Sequence, residues 1–262
     1  MDKLSDQLTL VTVGFNSAAV LVPHIESLLR SASGALPRWI VVDNASSDGT
    51  ADHLKRYDGV VELVQSPENV GFGAACNLGI AATTTRYVLV LNPDTELSEA
   101  ALQALLAELK AHGAAIAGPS LQPDIENKVD DVDWLVGAAL LMDRELMDEV
   151  GYFDERFFLY EEDVDLCKRA NDQGLRVIHC KGISIPHVGG GSTARTKEVN
   201  EFIHYHKGRS YAMYVSKHHP GSDLLRRYVK KNRKRMAFAA ISFGLSRYRR
   251  ARAKLRGVAS LK

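Results

Sequence analysis

The stretch "YVLVLNPD", Tyr87 to Asp94, joins an apolar run to a polar turn, and this arrangement recurs along the first third of the chain. Similar apolar runs cover residues 8–15, 39–46 and 60–66, and segments with the apolar period of a helix lie between them. Runs rich in β-branched residues that alternate with helical segments are typical of βαβ units. The sequence therefore predicts an α/β fold with a mixed, mainly parallel central sheet flanked by helices.

The helices of this fold are predicted at about 17–31, 49–57, 71–83 and 98–112. After Gly113 the pattern changes to shorter pieces: a loop around "QPDIENKVDDVD", then "WLVGAALLMD", a short helix, and a helix that begins near Glu162. We expect three parts, which are a nucleotide-binding half (1–95), a substrate-binding half of the same domain (96–220) and a basic helical tail (221–262).

Charge is distributed unevenly, although the 33 basic and 32 acidic residues nearly balance. Residues 226–262 contain 14 Lys or Arg and no acid, which leaves residues 1–225 with a formal charge of −13. This tail also contains a ten-residue apolar segment, Met236 to Leu245, which is too short to span a bilayer. A basic amphipathic helix binds anionic headgroups, so we expect peripheral attachment to the inner face of the cell membrane. The alternative is a nucleic-acid-binding protein with a basic arm, although the acidic body contains no recognised nucleic-acid module.

The compartment is predicted from the cysteines and the N-terminus. Three cysteines without C-x-x-C spacing argue against both a disulfide framework and a zinc knuckle. The first residues place acids before a short apolar run and show no cleavage-site pattern. No segment reaches the roughly 18 apolar residues of a membrane-spanning helix. We expect a cytoplasmic location.

Polar residues stand where the predicted strands end, which is where open α/β sheets bind their ligands. The second strand ends in "VVDNASSDGT", which includes Asp43 and Asn44, and the fourth ends in "LNPD", which includes Asp94. A carboxylate at the mouth of the sheet can hold a divalent cation together with diphosphate oxygens. Both segments are also explained as turns that cap the next helix, and the residues alone leave the two interpretations open.

The glycine-rich segment "ENVGFGAACNLGI", residues 68–80, superficially resembles a dinucleotide-binding fingerprint. The spacing of Gly71, Gly73 and Gly79 does not give G-x-G-x-x-G, and the acidic residue expected about 20 positions later is missing. A glycine loop that leads into a helix can still present N–H groups to a phosphate. Alone, the segment is weak evidence for a nucleotide site.

Taken in order, six motifs resemble the family 2 glycosyltransferases with the GT-A fold, over roughly residues 8–215. They are "VTVGFNS", "VVDNASSDGT", "NVGFGAACNLG", "LNPD", "GYFDERFFLYEEDVDLCKRA" and "IPHVGGGS". The most similar branch is the rhamnosyltransferase type, whose members include those that build polyprenyl-diphosphate-linked cell-wall or O-antigen sugars. The resemblance implies an inverting transfer, with L-rhamnose from dTDP-rhamnose as the first expectation, to a hydroxyl of a glycan or polyprenyl-diphosphate-linked acceptor. A UDP-hexose-dependent transferase and an inactive relative that only binds are the alternatives.

The resemblance also implies a metal and a donor pocket. Asp94 would hold Mg²⁺ or Mn²⁺ with His187 as a second ligand, a structural histidine being the alternative. The family's D-x-D reads Asn92-Pro93-Asp94 here, so one carboxylate is lost and metal dependence is in doubt. The donor nucleotide would be bound by Asp43, Asn44, Asn69, Gly71, Gly73, Asn77 and Asn92.

Acceptor and sugar contacts are implied for two residues of "DWLVGAALL", Trp134 and Gly137, with a plain core strand as the alternative. The "GGGS" that follows His187 and Val188 is expected to be a mobile loop that closes over the donor phosphates.

Four carboxylates stand within "FFLYEEDVDLCKRA", residues 157–170. In a helix that begins near Glu162, Asp163 lies on the apolar face. Asp165 and Arg169 share the other face with Glu162 and are expected to form an ordinary i, i+4 pair. A carboxylate turned toward the core is costly unless it caps, pairs or acts on a substrate. The resemblance implies that Asp163 is the general base, whose pKa the aromatic surroundings raise, and that Glu162 orients the acceptor.

Overall fold

The computed structural model describes residues 3–31, 36–122, 126, 128–187, 196–242 and 244–261. Its strands are β1 (Leu8–Gly14), β2 (Arg38–Asp43), β3 (Val61–Gln65), β4 (Tyr87–Leu91), β5 (Ile116–Ser120), β6 (Val129–Asp131), β7 (Ala139–Asp143) and β8 (Val177–Ser184). Its α-helices are α1 (Leu4–Gln7), α2 (Ala18–Ser31), α3 (Thr50–Leu54), α4 (Phe72–Ala81), α5 (Glu99–His112), α6 (Arg144–Met147), α7 (Glu162–Asp172), α8 (Lys197–His218), α9 (Leu224–Ile241) and α10 (Leu245–Ala259). A 3₁₀ turn, Lys55–Tyr57, continues α3.

The eight strands form one sheet in the order β3-β2-β1-β4-β7-β5-β8-β6. The first four strands are mutually parallel, and β5 is parallel to β8. Strands β7 and β6 run antiparallel to their neighbours. The prediction of a mixed, mainly parallel sheet flanked by helices is therefore confirmed.

Apolar side chains cover both faces of the sheet, as the β-branched runs require. In β1, Leu8 and Leu10 pack on one face with α2 and α5, whereas Val11 and Val13 pack on the other face with α4 and α7. Every residue of β1, β4 and β7 is buried. The sheet is thus a rigid platform, and the polar residues that follow β2 and β4 are carried at its edge.

The early elements agree with their predicted positions to within three residues. The largest differences are at β4, which ends at Leu91 rather than near Asp94, and at β2, which ends at Asp43 rather than near Ser46. The residues that follow form a turn in which Asp48 accepts hydrogen bonds from the backbone N–H groups of Thr50 and Ala18. Side chains that bond to nearby backbone in this way compete with strand pairing, which explains the early end.

The second half of the chain differs more from the predictions. The loop expected at 122–133 contains the short strand β6, which pairs with β8. Helix α8 was not predicted, and the expected basic helix is two helices, α9 and α10. Among the described residues, no helix is long and apolar enough to cross a membrane.

The C-terminal helices are packed onto the body rather than extended as a tail. A Cβ at Gly208 of α8 would collide with the backbone carbonyl of Lys254, and one at Gly257 of α10 would collide with that of Tyr205. Backbones can approach this closely only where a side chain is missing. Two reciprocal contacts therefore fix the register of α8 against α10.

Gly79 of α4 provides a test of how tightly the helix packs on the sheet. An added Cβ would overlap Cγ1 of Val11 and lie 3.1 Å from Cγ2 of Val42. We expect Gly79→Ala to destabilise the fold by about 1–3 kcal/mol, because overpacking forces the strand and helix apart.

Chemical denaturation measures this effect, with Gly14→Ala as the matched control. A Cβ at Gly14 meets its nearest atoms at 3.6 Å, which is ordinary contact. Equal loss of stability in the two variants would contradict the packing argument.

Candidate active site

The turn after β2 places Asp43 and Asn44 at the carboxyl edge of the sheet, and both are buried. Asp43 accepts a hydrogen bond from the N–H of Ser46 at 3.2 Å. The side chain of Asn44 forms hydrogen bonds to the glycine-rich loop. Its Nδ2 donates to Asn69 Oδ1 at 3.0 Å, and its Oδ1 accepts from the N–H of Val70. The two segments expected to bind the nucleotide are therefore joined to each other.

The glycines of this loop are required by a close approach of protein backbone. Gly71 has φ +91°, and a Cβ there would collide with the carbonyl oxygen of Phe158, which accepts from the N–H of Phe72 at 2.9 Å. A Cβ at Gly73 would lie 2.9 Å from that of Phe153. These contacts account for both glycines without a phosphate, and they press α4 against the segment that leads to α7.

Asn77 of α4 makes the same connection through its side chain. Its amide donates to the carbonyl of Phe153 at 2.9 Å and to Glu155 at 3.0 Å, and its oxygen accepts from the N–H of Phe153. These hydrogen bonds occupy the amide, so in this structure Asn77 joins α4 to the loop before α7. Its expected contact with the nucleotide stays a prediction.

The turn after β4 brings the two expected metal ligands together. His187 Nε2 lies 3.0 Å from Asp94 Oδ1 and 3.4 Å from the amide nitrogen of Asn92. A β-bridge between Thr95 and His187 holds the two chain segments side by side. Asp94 is 8% exposed. Residues 93 positions apart thus form a compact group of oxygen and nitrogen donors.

This group fits a divalent ion that takes further ligands from elsewhere. A carboxylate and an imidazole are suitable donors for Mn²⁺ or Mg²⁺. Among the residues that the structure describes, no cluster of three or more His, Cys, Asp or Glu could hold a metal ion. Water and ligand oxygens would have to complete the coordination, as the missing carboxylate at Asn92 implies.

Asp163 accepts a hydrogen bond from the segment just before β7, at the same edge of the sheet. The backbone N–H of Gly137 donates to Asp163 Oδ2 at 2.8 Å, and the N–H of Val164 donates to Oδ1 at 2.8 Å. The next residue, Ala138, accepts a backbone hydrogen bond from Asn92 at 2.9 Å. The expected base and the expected metal turn are therefore connected through two adjacent residues.

Gly137 has a direct physical reason to be glycine. An added Cβ would lie 3.3 Å from both the Cβ and Oδ2 of Asp163, which is tighter than most real contacts. Gly137 lies just before β7 rather than within it, so the alternative of a plain core strand does not hold for this residue. Trp134 also lies outside β7 and is 52% exposed.

Three consecutive acids, Glu161, Glu162 and Asp163, begin α7 in surroundings that resist negative charge. Burial, followed by the charge of Asp163, raises the pKa of Glu161 to about 7 and the pKa of Glu162 to about 8. Burial also raises the pKa of Asp163, and the N–H groups of Gly137 and Val164 oppose this shift. Proximity disfavours the simultaneous ionisation of all three acids, and hydrogen bonds from the backbone N–H groups of Gly137 and Val164 stabilise the charge of Asp163.

Glu162 is buried, contrary to its expected place on the open face of α7. Only 5% of Glu162 is exposed. A Cβ added at Gly73 would lie 3.5 Å from the Cβ of Glu162. One carboxyl oxygen of Glu162 has no hydrogen-bond partner within the described part of the chain. A neutral carboxylic acid tolerates such a position far better than a carboxylate. The orientation of an acceptor by Glu162 stays a prediction.

The expected i, i+4 pair of Asp165 and Arg169 is confirmed, and its surroundings were not predicted. The two residues do pair, at 2.8 Å, but Asp165 has no exposed surface. Helix α8 covers it and supplies two more partners, Lys217 Nζ and His218 Nε2, each at 2.6 Å. Burial opposes ionisation of Asp165, yet the hydrogen bonds from these partners outweigh it and lower the pKa of this carboxyl. No sequence pattern indicated Lys217 or His218, because they lie in an unpredicted helix.

The approach to α7 is strained. Tyr160 and Glu161 have φ of 71° and 67°, which is the left-handed region. Ser210 of α8 donates to the carbonyl of Leu159 at 2.8 Å, and Lys207 lies over the ring of Tyr160. Such conformations persist only where the surroundings hold them. The "GGGS" loop lies outside the described residues.

Comparison with protein-family models matches residues 9–181 to the model described as glycosyl transferase family 2. The match covers most of the sheet, the Asp94 turn and all of α7. The chain belongs to this family and is a glycosyltransferase. The resemblance carried by the six motifs is confirmed, and the alternative of a nucleic-acid-binding protein with a basic arm is not supported.

Two relatives indicate the range of the family. N-acetylglucosaminyl-diphospho-decaprenol L-rhamnosyltransferase of Mycobacterium tuberculosis is 27% identical, over 83% of this chain and 87% of that protein. Low-salt glycan biosynthesis hexosyltransferase Agl10 of Haloferax volcanii is 23% identical, over 70% of this chain and 67% of that protein.

Solved structures support the same fold. The mannosyltransferase PcManGT from Pyrobaculum calidifontis, in complex with GDP-Man and Mn²⁺, has a TM-score of 0.62 at 16% identity, over 98% of this chain and 76% of that one. TarS 1-349 of S. aureus, in complex with UDP-GlcNAc, has a TM-score of 0.59 at 15% identity, over 97% and 91%. The GT-A fold is thereby confirmed.

The buried position of Glu162 has a measurable consequence for stability. In the unfolded chain this group ionises near its ordinary pKa of 4.5, whereas in the fold it keeps its proton to about 8. Unfolding therefore releases a proton between these values, so the contribution of Glu162 is fully present below pH 4.5 and is lost as the pH rises toward 8. We expect Glu162→Gln to gain stability over the wild type across this window, by up to about 1.4 kcal/mol per pH unit.

Thermal unfolding at several pH values tests this expectation, with the exposed Glu149→Gln as the control. The melting temperature of Glu162→Gln relative to wild type should rise with pH, and that of Glu149→Gln should stay level. A constant difference for Glu162→Gln would mean that the carboxyl is ionised in the fold.

Proposed function

We propose that this protein is an inverting glycosyltransferase that transfers L-rhamnose from dTDP-rhamnose to a sugar hydroxyl of a polyprenyl-diphosphate-linked acceptor in cell-surface polysaccharide synthesis. The observation that carries the proposal is the backbone-held Asp163, which Gly137 and Ala138 link to the turn that carries Asp94, the neighbour of His187. The rhamnosyltransferase relative, which aligns with most of the chain, supports the choice of sugar and acceptor. A UDP-hexose donor is the second candidate, since a structural neighbour binds UDP-GlcNAc.

Asp163 is proposed as the general base. It would accept the proton of the acceptor hydroxyl as that oxygen attacks the anomeric carbon, and one such attack inverts the configuration. Burial makes the carboxylate a stronger base, while Gly137 and Val164 keep it oriented. Hydrogen bonds from the backbone leave little freedom to rotate, which favours a fixed line of attack.

Asp94 and His187, with the amide of Asn92 beside them, are proposed to hold Mg²⁺ or Mn²⁺. The bound ion would neutralise the charge of the leaving nucleoside diphosphate. Asp43, Asn44, Asn69, Gly71 and Gly73 are proposed to line the nucleotide pocket, with Trp134 and Gly137 on the acceptor side. The hydrogen bond between Asn44 and Asn69 suits a preformed pocket, because ligand binding then costs little ordering of these groups.

Asp163→Asn tests the proposed base. The amide keeps the shape but cannot take a proton, so turnover of a matched donor and acceptor should fall by about a hundredfold or more, with nucleotide affinity unchanged. Thermal shift with dTDP, UDP and GDP, each with and without Mn²⁺, measures nucleotide affinity, and a ligand at about 100 times its Kd stabilises by roughly 2.7 kcal/mol.

Asp94→Asn is the matched variant on the metal side. It should lose the metal-dependent part of the nucleotide shift, whereas Asp163→Asn should keep it. Full turnover in Asp163→Asn would rule out Asp163 as the base, and a thermal shift with none of the nucleotides would contradict the enzyme assignment.

We also propose that the C-terminal helices contact an anionic membrane surface. Phe238 and Ile241 at the end of α9 are 65% and 80% exposed, and Leu245 at the start of α10 is 58% exposed. These three residues form an apolar tip, and basic residues flank it in both helices. Such a tip can enter the headgroup layer while the flanking Lys and Arg bind anionic lipid.

The double variant Phe238→Ser/Ile241→Ser tests this contact. Burial of such a side chain contributes about 1.5–3 kcal/mol, so binding to phosphatidylglycerol vesicles should weaken at least about tenfold. Leu78→Ser, at a residue that is 42% exposed on α4, is the control and should bind as the wild type does. Deletion of 226–262 is a poor test, because it removes the partner of α8. Unchanged vesicle binding in the double variant would exclude the tip as the contact.

A further inference from the structure

Five basic residues from the three C-terminal helices are close enough for their charges to interact, and one of them, Lys207, lies against the approach to α7. They are Lys207 of α8, Lys231 and Arg235 of α9, and Arg250 and Lys254 of α10, and we call them the basic cluster. The contact of Gly208 with the backbone of Lys254 sets the register that brings α8 and α10 together at this point. The convergence is therefore built by the helix packing and does not result from flexible side chains alone.

No member of the basic cluster forms a salt bridge with a carboxylate of the described residues, although Lys207 is near enough to Glu161 for their charges to interact. Burial, and then the charges of the other four, lower the pKa of Lys254. Burial and three of the same charges lower the pKa of the neighbouring His204 to about 4, so this histidine is neutral and supplies no further charge. Convergent positive charge without a counterion is unfavourable, and a bound anion would relieve it.

The basic cluster borders the segment that carries the proposed base. Lys207 Nζ lies 4.5 Å from the centre of the Tyr160 ring, and Tyr160 precedes Asp163 by three residues. The charge of Lys207 also opposes the rise in the pKa of Glu161. An anion held here would lie beside the segment that leads to Asp163, on different residues from the Asp94–His187 group that is assigned to the donor.

The location favours a compact, multivalent anion over a bilayer surface. Lys207 and Lys254 are partly buried, whereas the three side chains of the apolar tip that suits a membrane are each more than half exposed. We propose that the basic cluster binds the diphosphate of a lipid-linked acceptor, so that the sugar attached to this diphosphate reaches Asp163. This inference rests on the proposed transfer to such an acceptor.

Isothermal titration of the full-length protein with geranyl diphosphate tests the site directly. The titration is done in EDTA and repeated in Asp94→Asn, which removes binding that depends on a metal in the donor pocket. The double variant Lys207→Gln/Lys254→Gln should bind about tenfold more weakly, because charge-assisted contacts are lost. The control Lys230→Gln/Arg233→Gln removes the same charge from exposed positions of α9 and should change affinity less than about twofold.

Each outcome decides the inference separately from the proposed function. Weaker binding of geranyl diphosphate by Lys207→Gln/Lys254→Gln, but not by Lys230→Gln/Arg233→Gln, supports the site. This holds even if no nucleotide binds to the donor pocket. Equal loss in both variants, or no binding of geranyl diphosphate by a protein that binds nucleotides, overturns it. Loss of phosphatidylglycerol vesicle binding with unchanged affinity for geranyl diphosphate also overturns it, since the cluster would then contact the bilayer. If the double variant does not fold, the exposed pair Arg235→Gln/Arg250→Gln replaces it.

Discussion

The buried carboxylate of Asp165 is the constraint on which the position of the acid-rich start of α7 depends. Its partners come from two helices: Arg169 from its own helix, α7, and Lys217 and His218 from α8. Arg169 also donates to the carbonyls of Val150, Gly151 and Tyr152. A buried charge with several partners is costly to break, because each remaining partner loses its counterion. The helix that carries Asp163 is thus tied both to the loop before it and to α8.

Two neighbouring carboxylates on one helix therefore have opposite surroundings. Asp165 meets the side chains of Arg169, Lys217 and His218, whereas Asp163, two residues earlier, meets two backbone N–H groups and two other acids. One carboxyl is fixed in its charged form and serves as an anchor. The other keeps a raised pKa and has geometry suited to proton transfer. Different environments, rather than different residue types, separate the structural acid from the proposed base.

Much of the fold was predictable because β-branched runs and helical periods are local properties of the chain. The motif order further predicted the meeting of Asp94 and His187, which are 93 positions apart. The burial of Asp165 was not predictable, because it depends on α8, a helix whose apolar residues show almost no periodicity. The glycines at 71 and 73 had a visible pattern, but their contacts with Phe158 and Phe153 arise from tertiary packing. The same limit applies to Asn77, whose partners lie 76 and 78 positions away.

The contacts that hold the left-handed pair Tyr160–Glu161 come from a helix that lies beyond the part of the chain that matches the family. The family match stops at residue 181, yet the backbone of this pair is held from outside the match by Ser210 and Lys207 of α8. Release of α8 would allow residues 159–161 to relax and would shift the start of α7. The part of the chain beyond the family match is therefore mechanically coupled to the helix that carries Asp163. Chimeras that exchange acceptor-binding regions between relatives would need to carry α8 together with the loop that it restrains.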